Sequence, residues 1–204
     1  MEPYLSVTAI ANTPSLLAAL DARRSVPARQ LAGPAPDDAQ LRRMLASAVR
    51  VPDHGRRVPF RFLSIAGDAR RALGELVAAR GRTLRPDSGD AAVTKDRERF
   101  SHAPLVLVVV AVLDPADTAI PAQERLLTAG CACFALLQAA QAMGFGANWI
   151  TGWPAYDAHV MALLGLGPDE RIAGFIHLGT PAAGVPERER PDPGALLRPW
   201  TPPA

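Results

Sequence analysis

Apolar residues recur along this chain at two spacings, three-to-four and strict or continuous, and the changes between them mark out its elements. Thr13-Pro14-Ser15 offers a capping oxygen and a first-turn proline, and Leu16, Leu17 and Leu20 follow as the apolar stripe of a first helix ending near Arg23. Past a Pro/Gly-rich link, Asp37 and Asp38 cap a second helix through Leu41, Met44, Leu45 and Val49, which stops at Arg50 before Pro52. A loop from Val51 to Pro59 leads into a short strand over Phe60 to Ala66. Asp68 to Arg80 reads as a third helix ended by Gly81. A mobile stretch to Ala92 is expected next, then a fourth helix over Lys95 to Phe100.

The second half is more apolar. Leu105 to Leu113 is a nearly continuous Val/Leu run between prolines, as expected of a central strand covered on both faces. Ala122 to Met143 is the longest helix, and its small residues Ala129, Gly130, Ala132, Ala135, Ala139 and Ala140 admit close approach by a helix, a subunit or a flat ring. Gly144-Phe145-Gly146 breaks it. Strands over Ala147 to Thr151 and Ile172 to Leu178 flank a helix over Tyr156 to Leu164. Residues 182–204 form a proline-rich, charged tail with no core of its own, expected to lie over a neighbouring surface, a partner subunit's among the choices. No repeat or internal boundary is visible, so residues 1–204 are expected to form one domain.

Charge and cysteine usage narrow the partners. A net charge of +2 over 204 residues gives no electrostatic footprint for nucleic acid or an anionic membrane. Cys131 and Cys133 fall on different faces of one helix, which disfavours a disulfide, and no second cysteine pair or histidine pair completes a zinc site. Both are read as small packing residues, and no metal is expected. Without a basic leader or a long apolar span, a cytoplasmic protein is expected.

Candidate chemistry begins at Arg23-Arg24-Ser25. Two guanidinium forks beside a hydroxyl match phosphate oxygens, although arginines also suit a solvated helix end. His54, in a Pro-Asp-His-Gly loop between Arg50 and Arg57, is either a turn residue or part of a cationic pocket. Trp149 and Thr151 equally suit an ordinary strand. Gly-x-Gly-x-x-Gly, Walker A and Gly-x-Ser-x-Gly motifs are absent from the sequence, which leaves a Rossmann site, a P-loop and a hydrolase elbow without support.

The order of these weak signals is more specific than any one of them. Arg-Arg-Ser at 23–25, Arg-x-Pro-Asp-His at 50–54, Gly-Phe-Gly at 144–146, Trp-x-Thr-Gly at 149–152 and Leu-Gly-Thr-Pro at 178–181 together resemble the nitroreductase family, in its minimal YdjA-type subgroup. The resemblance runs from about Leu16 to Pro181. It implies an α+β fold with a mostly antiparallel sheet of four to five strands flanked by helices, built as an intertwined homodimer with FMN at the interface. By position it implies FMN contacts from Arg23, Arg24, Ser25, Trp149, Ile150 and Thr151, with Arg50 and His54 supplied by the partner. It also implies a nicotinamide-binding stretch over Ala139, Ala140, Gln141, Ala142, Met143 and Gly144.

The implied activity is an FMN-dependent oxidoreductase. Hydride comes from NAD(P)H, and electrons pass by a ping-pong route to nitro compounds, quinones or related acceptors, with FMN carrying the chemistry and no separate catalytic side chain. A non-catalytic flavin-binding or regulatory dimer, or specialised flavin chemistry on the same fold, is the alternative. The chain departs from the family pattern at Ile150, where many relatives carry a basic residue, and at Val58-Pro59-Phe60, where the family often reads Gln-Pro-Trp. Arg188 and Arg190 are read first as solvated tail charges, with phosphate contact as the alternative.

Overall fold

The Val/Leu run forms the spine of the sheet in the computed structural model, which describes residues 14–203. Strand β3 (Leu105–Val112) pairs on one side with β2 (Phe60–Ala66) and on the other with the long β5 (Glu170–Pro181). On its far side β5 pairs with β4 (Gly146–Ile150), and its C-terminal end pairs with the two-residue β1 (Leu31–Ala32). Every pairing is antiparallel.

Side-chain alternation along β3 divides the core between two faces. Leu105, Leu107, Val109 and Ala111 face α2 (Asp38–Ala48) and α5 (Ala122–Ala142), meeting Met44, Ala129, Ala132, Cys133, Leu136 and Ala140. Val106, Val108 and Val110 face the other way, toward α3 (Asp68–Leu84) and α6 (Ala158–Leu163), where Leu73, Val77, Phe100, Val160 and Phe175 fill the layer. Burial on both faces explains why β3 reads as unbroken apolar sequence. Helix α2 begins with a capping box: the Gln40 N–H donates to the Asp37 carboxylate, and the Asp37 N–H donates to the Gln40 amide oxygen.

Several boundaries differ from the sequence expectation. Gly81 does not end the third helix: α3 continues to Leu84, and the stretch expected to be mobile holds that last turn and the start of α4 (Asp90–Glu98), which begins before Lys95. The glycine serves packing, because a Cβ there would lie 2.5 Å from Asp96 Oδ2. Helix α1 (Pro14–Asp21) is shorter than expected, and Thr13 lies outside the described residues. Its Leu16, Leu17 and Leu20 are exposed rather than packed on the chain's own core. In the tail, Val185 packs beside Val26, Leu31 and Ala103 of the same chain, while Leu196, Leu197 and Trp200 stay exposed.

One core residue carries a pH signature. His177 on β5 is fully buried, lies flat against Phe100 and has no hydrogen-bond partner for either ring nitrogen among the described residues. Burial, then Arg99 and His102, lowers its pKa to about 4. Above pH 6.5 the ring is neutral folded or unfolded. Below it the unfolded chain binds a proton that the folded chain refuses, so stability falls as pH drops toward 4, by roughly 3 kcal/mol at the limit. Urea unfolding at pH 7 and pH 5 should show this loss shrinking in His177→Leu. An equal loss in both proteins would remove His177 as its source.

Candidate functional site

The end of α1 and the tail meet at a cationic cavity. Arg23, Arg24 and Ser25 line a space of about 270 Å³ together with Val185, Pro186, Arg188 and Arg190. The Arg23 guanidinium donates to the Ser25 hydroxyl at 3.2 Å, so the triplet is folded back on itself rather than splayed into solvent. Arg24 turns a guanidinium nitrogen onto the carbonyls of Asp21 and Arg23, closing the end of α1. The charges converge strongly enough to act on one another: partial burial first, then Arg190, Arg188 and Arg24, hold the Arg23 pKa below its ordinary value. Glu187 is the counterweight, pairing with Arg24 and accepting from Arg190 Nε at 2.9 Å.

Gln141 ties this corner to α5. Its amide nitrogen donates to the Ala19 carbonyl at 2.9 Å, and its amide oxygen accepts from the Arg24 N–H at 3.3 Å. The neighbouring Ala139 and Ala142 line an apolar groove of about 380 Å³ with Leu16, Leu20 and Phe134. Met143 caps α5, and Gly144 takes the left-handed backbone that turns the chain into β4.

Arg50 and His54 lie elsewhere. His54 Nδ1 is 2.7 Å from Glu124 Oε2 in the first turn of α5, and because a carboxylate oxygen accepts, Nδ1 is the donor of that contact. The Asp53 carboxylate shapes this loop by accepting from the Arg57 and Val58 N–H groups. Arg50 is exposed just past α2. From Glu124 to Gln141 the helix rises about 25 Å, so the His54 loop and the Arg23 cluster occupy opposite ends of α5. That span exceeds what one mononucleotide reaches.

Trp149 sits between these ends. It is only partly covered, 38% exposed, with its indole N–H donating to the Ala173 carbonyl at 3.1 Å and its ring tip near Gly130 at the middle of α5. Ile150 and Thr151 continue at the end of β4 as half-buried residues. Behind them a buried polar knot holds the next turn: Asp96 accepts from Trp153 Nε1 at 3.0 Å and from Arg85 at 2.5 Å, with Arg99 at 3.4 Å. Phe60 is buried in the core cluster and Val58 is exposed, so only Val58 of the departing triplet has a surface role.

The structure thus gathers Arg23, Arg24 and Ser25 with Arg188 and Arg190, the two tail arginines whose first reading was as solvated charges. Cys133 is buried, its thiol pKa pushed up to about 12 by burial, whereas Cys131 is exposed beside His54. Among the described residues no group of three or more His, Cys, Asp or Glu side chains is placed to hold a metal ion, and no helix is long and apolar enough to cross a membrane.

The sequence model of the Nitroreductase family matches residues 20–180. A protein of Escherichia coli (strain K12) named "Putative NAD(P)H nitroreductase YdjA" is 35% identical over 159 residues, 78% of this chain and 84% of that protein. A nitroreductase-like family protein from Bacillus cereus superposes with a TM-score of 0.74 at 24% identity, covering 97% of each chain. A nitroreductase with bound FMN from Bacteroides fragilis superposes at 0.68 with 20% identity, covering 93% of this chain and 100% of the other. The match of sequence over most of the chain, with the same fold beneath it, makes this chain a member of the nitroreductase family.

Proposed function

We propose that this chain is an FMN-dependent oxidoreductase drawing reducing equivalents from NAD(P)H. The observation that carries the reading is the convergence of Arg23, Arg24, Ser25, Arg188 and Arg190 on one cavity. FMN ends in a phosphate monoester, and forked, permanently charged donors beside a hydroxyl are the donor set such a group selects. The bound FMN of the Bacteroides fragilis protein and the NAD(P)H in the name of the Escherichia coli protein support the same assignment. Bound flavin supplies the redox chemistry, accepting hydride from NAD(P)H and passing electrons to a nitro compound, quinone or related acceptor in alternating half-reactions.

The chain's own residues then hold, orient and cover. Arg23, Arg24, Arg188 and Arg190 grip the phosphate, with Ser25 adding a neutral hydrogen bond. Trp149, Ile150 and Thr151 line the ring. Ile150 brings no charge, so polar contact at that position falls to the backbone. Because Gln141 is engaged with Ala19 and Arg24, the stretch from Ala139 to Gly144 would meet a nicotinamide through its other residues rather than through the Gln141 amide.

Arg50 and His54 reach the same flavin only from a second copy. A two-fold pair with antiparallel α5 helices brings the partner's His54 end beside this chain's Arg23 end. Leu127 and Phe134 on the outer face of α5, with Leu16, Leu17 and Leu20 of α1, present the exposed apolar surface such a pairing buries. Anaerobic titration of the purified protein tests the whole reading. A yellow protein should bleach with NADH or NADPH and recover colour with a nitroaromatic or quinone. Failure to take up FMN overturns it, and bound FMN that neither nicotinamide bleaches overturns the donor assignment.

A further inference from the structure

Trp149 owes its place to its neighbours' lack of side chains. The β3–β5 ladder slips by one residue between Val109 and Val110, so that Val109 pairs with Gly174, Val110 pairs with Ile172, and Ala173 is left over as a bulge. The slip frees the Ala173 carbonyl, which accepts the Trp149 indole N–H at 3.1 Å. Beside it, a Cβ on Gly174 would fall 2.1 Å from Trp149 Nε1 and 2.4 Å from Cδ1. At the far end of the ring, a Cβ on Gly130 would stand 3.8 Å from Cη2. The five-membered ring thus lies directly on bare β5 backbone, and the six-membered ring points at α5.

Neither contact arises from local sequence. Trp149 pairs in register with Ile176 rather than with Gly174, so the indole leans diagonally across the ladder to reach its slot. An alanine at 174 forces the ring away and breaks its only hydrogen bond among the described residues, because no rotamer adjustment of a few tenths of an ångström relieves an overlap of that depth.

We infer that Gly174, together with the bulged Ala173 carbonyl, is a positioning residue that fixes the Trp149 indole as a wall of the flavin site. The inference rests on the proposed contact between Trp149 and FMN. Gly174 acts through Trp149 and touches no ligand itself. Its effect on flavin binding must therefore vanish when the indole is absent.

A double-mutant cycle read by FMN titration of the apoprotein tests this. Gly174→Ala should raise the FMN dissociation constant about tenfold and alter the near-ultraviolet circular dichroism of the tryptophans. In a Trp149→Ala background the same change should move the constant less than twofold. Equal losses in both backgrounds, or no loss in either, overturn the inference. If Trp149→Ala alone leaves FMN affinity untouched, the proposed contact itself fails, a result distinct from failure of the Gly174 coupling. Should Gly174→Ala not fold, the double variant should, since the overlap is with the indole; an unfolded double variant also overturns the proposal.

Discussion

Replacing Arg23 and Arg24 together by alanine is expected to weaken FMN binding on the order of a hundredfold while leaving riboflavin binding nearly unchanged. Hydrogen bonds to charged groups contribute about 1.5–3 kcal/mol each, and each 1.4 kcal/mol is tenfold in affinity. Two such contacts at the lower value give the stated loss, and their sharing of one phosphate argues against the higher sum. Riboflavin is the decisive control because it carries the ring without the phosphate. Arg24 also closes the end of α1 through the Asp21 and Arg23 carbonyls, so local disorder is the competing source of a loss. Such disorder would weaken both ligands alike. Equal weakening, or none, removes the phosphate role of the pair.

Asp96→Ala is expected to cost the fold about 3–5 kcal/mol, the usual range for stripping one partner from a buried ion network. Asp96 is 3% exposed and satisfies Arg85, Trp153 and Arg99 at once. Its removal leaves Arg99, half-buried and already lacking a partner for Nε among the described residues, with uncompensated charge. It also frees the Trp153 N–H and loosens the cation–π contact in which Arg85 lies 5.2 Å above the Trp153 ring. At roughly 2–4 °C per kcal/mol for a domain of this size, the melting temperature should fall by about 10 °C. Asp96→Asn keeps an acceptor for Trp153 and should fall less. A change below about 1 kcal/mol for the alanine variant would mean that the knot behaves as a solvated surface pair.

The sequence announces elements whose cause is local. Helix α2 is legible because Asp37 and Gln40 form a capping box and Met44 recurs at helical spacing, and β3 because no polar residue interrupts it. Gly81 misleads because a glycine in a helical pattern reads as a stop, whereas here it makes room for Asp96. Two-residue β1 is too short to show any period. Leu16, Leu17 and Leu20 form a true stripe, but periodicity reports amphipathicity without saying which surface the stripe meets.

The site divides in the same way. Arg23-Arg24-Ser25 is visible as a triplet, and its order among other motifs gives it meaning. Arg190, by contrast, reaches the Arg23 carbonyl across 167 positions, and nothing local in a proline-rich tail encodes that return. Gly174 is quieter still. Its neighbours Ala173 and Phe175 make an ordinary strand, and only the Trp149 indole lying against it shows why a side chain is excluded there.

Glu187 gives the arginine cluster a property beyond its charge count. A carboxylate tethered among Arg24 and Arg190 is a resident counter-ion, so on the proposed reading an arriving phosphate would trade places with it instead of meeting bare cations. Ion exchange of this kind sheds fewer mobile ions than simple capture, and its strength falls off more gently as salt is added. The cluster is in that sense buffered: its proposed hold on a phosphate would be set by how well four forks and one hydroxyl outmatch a built-in competitor.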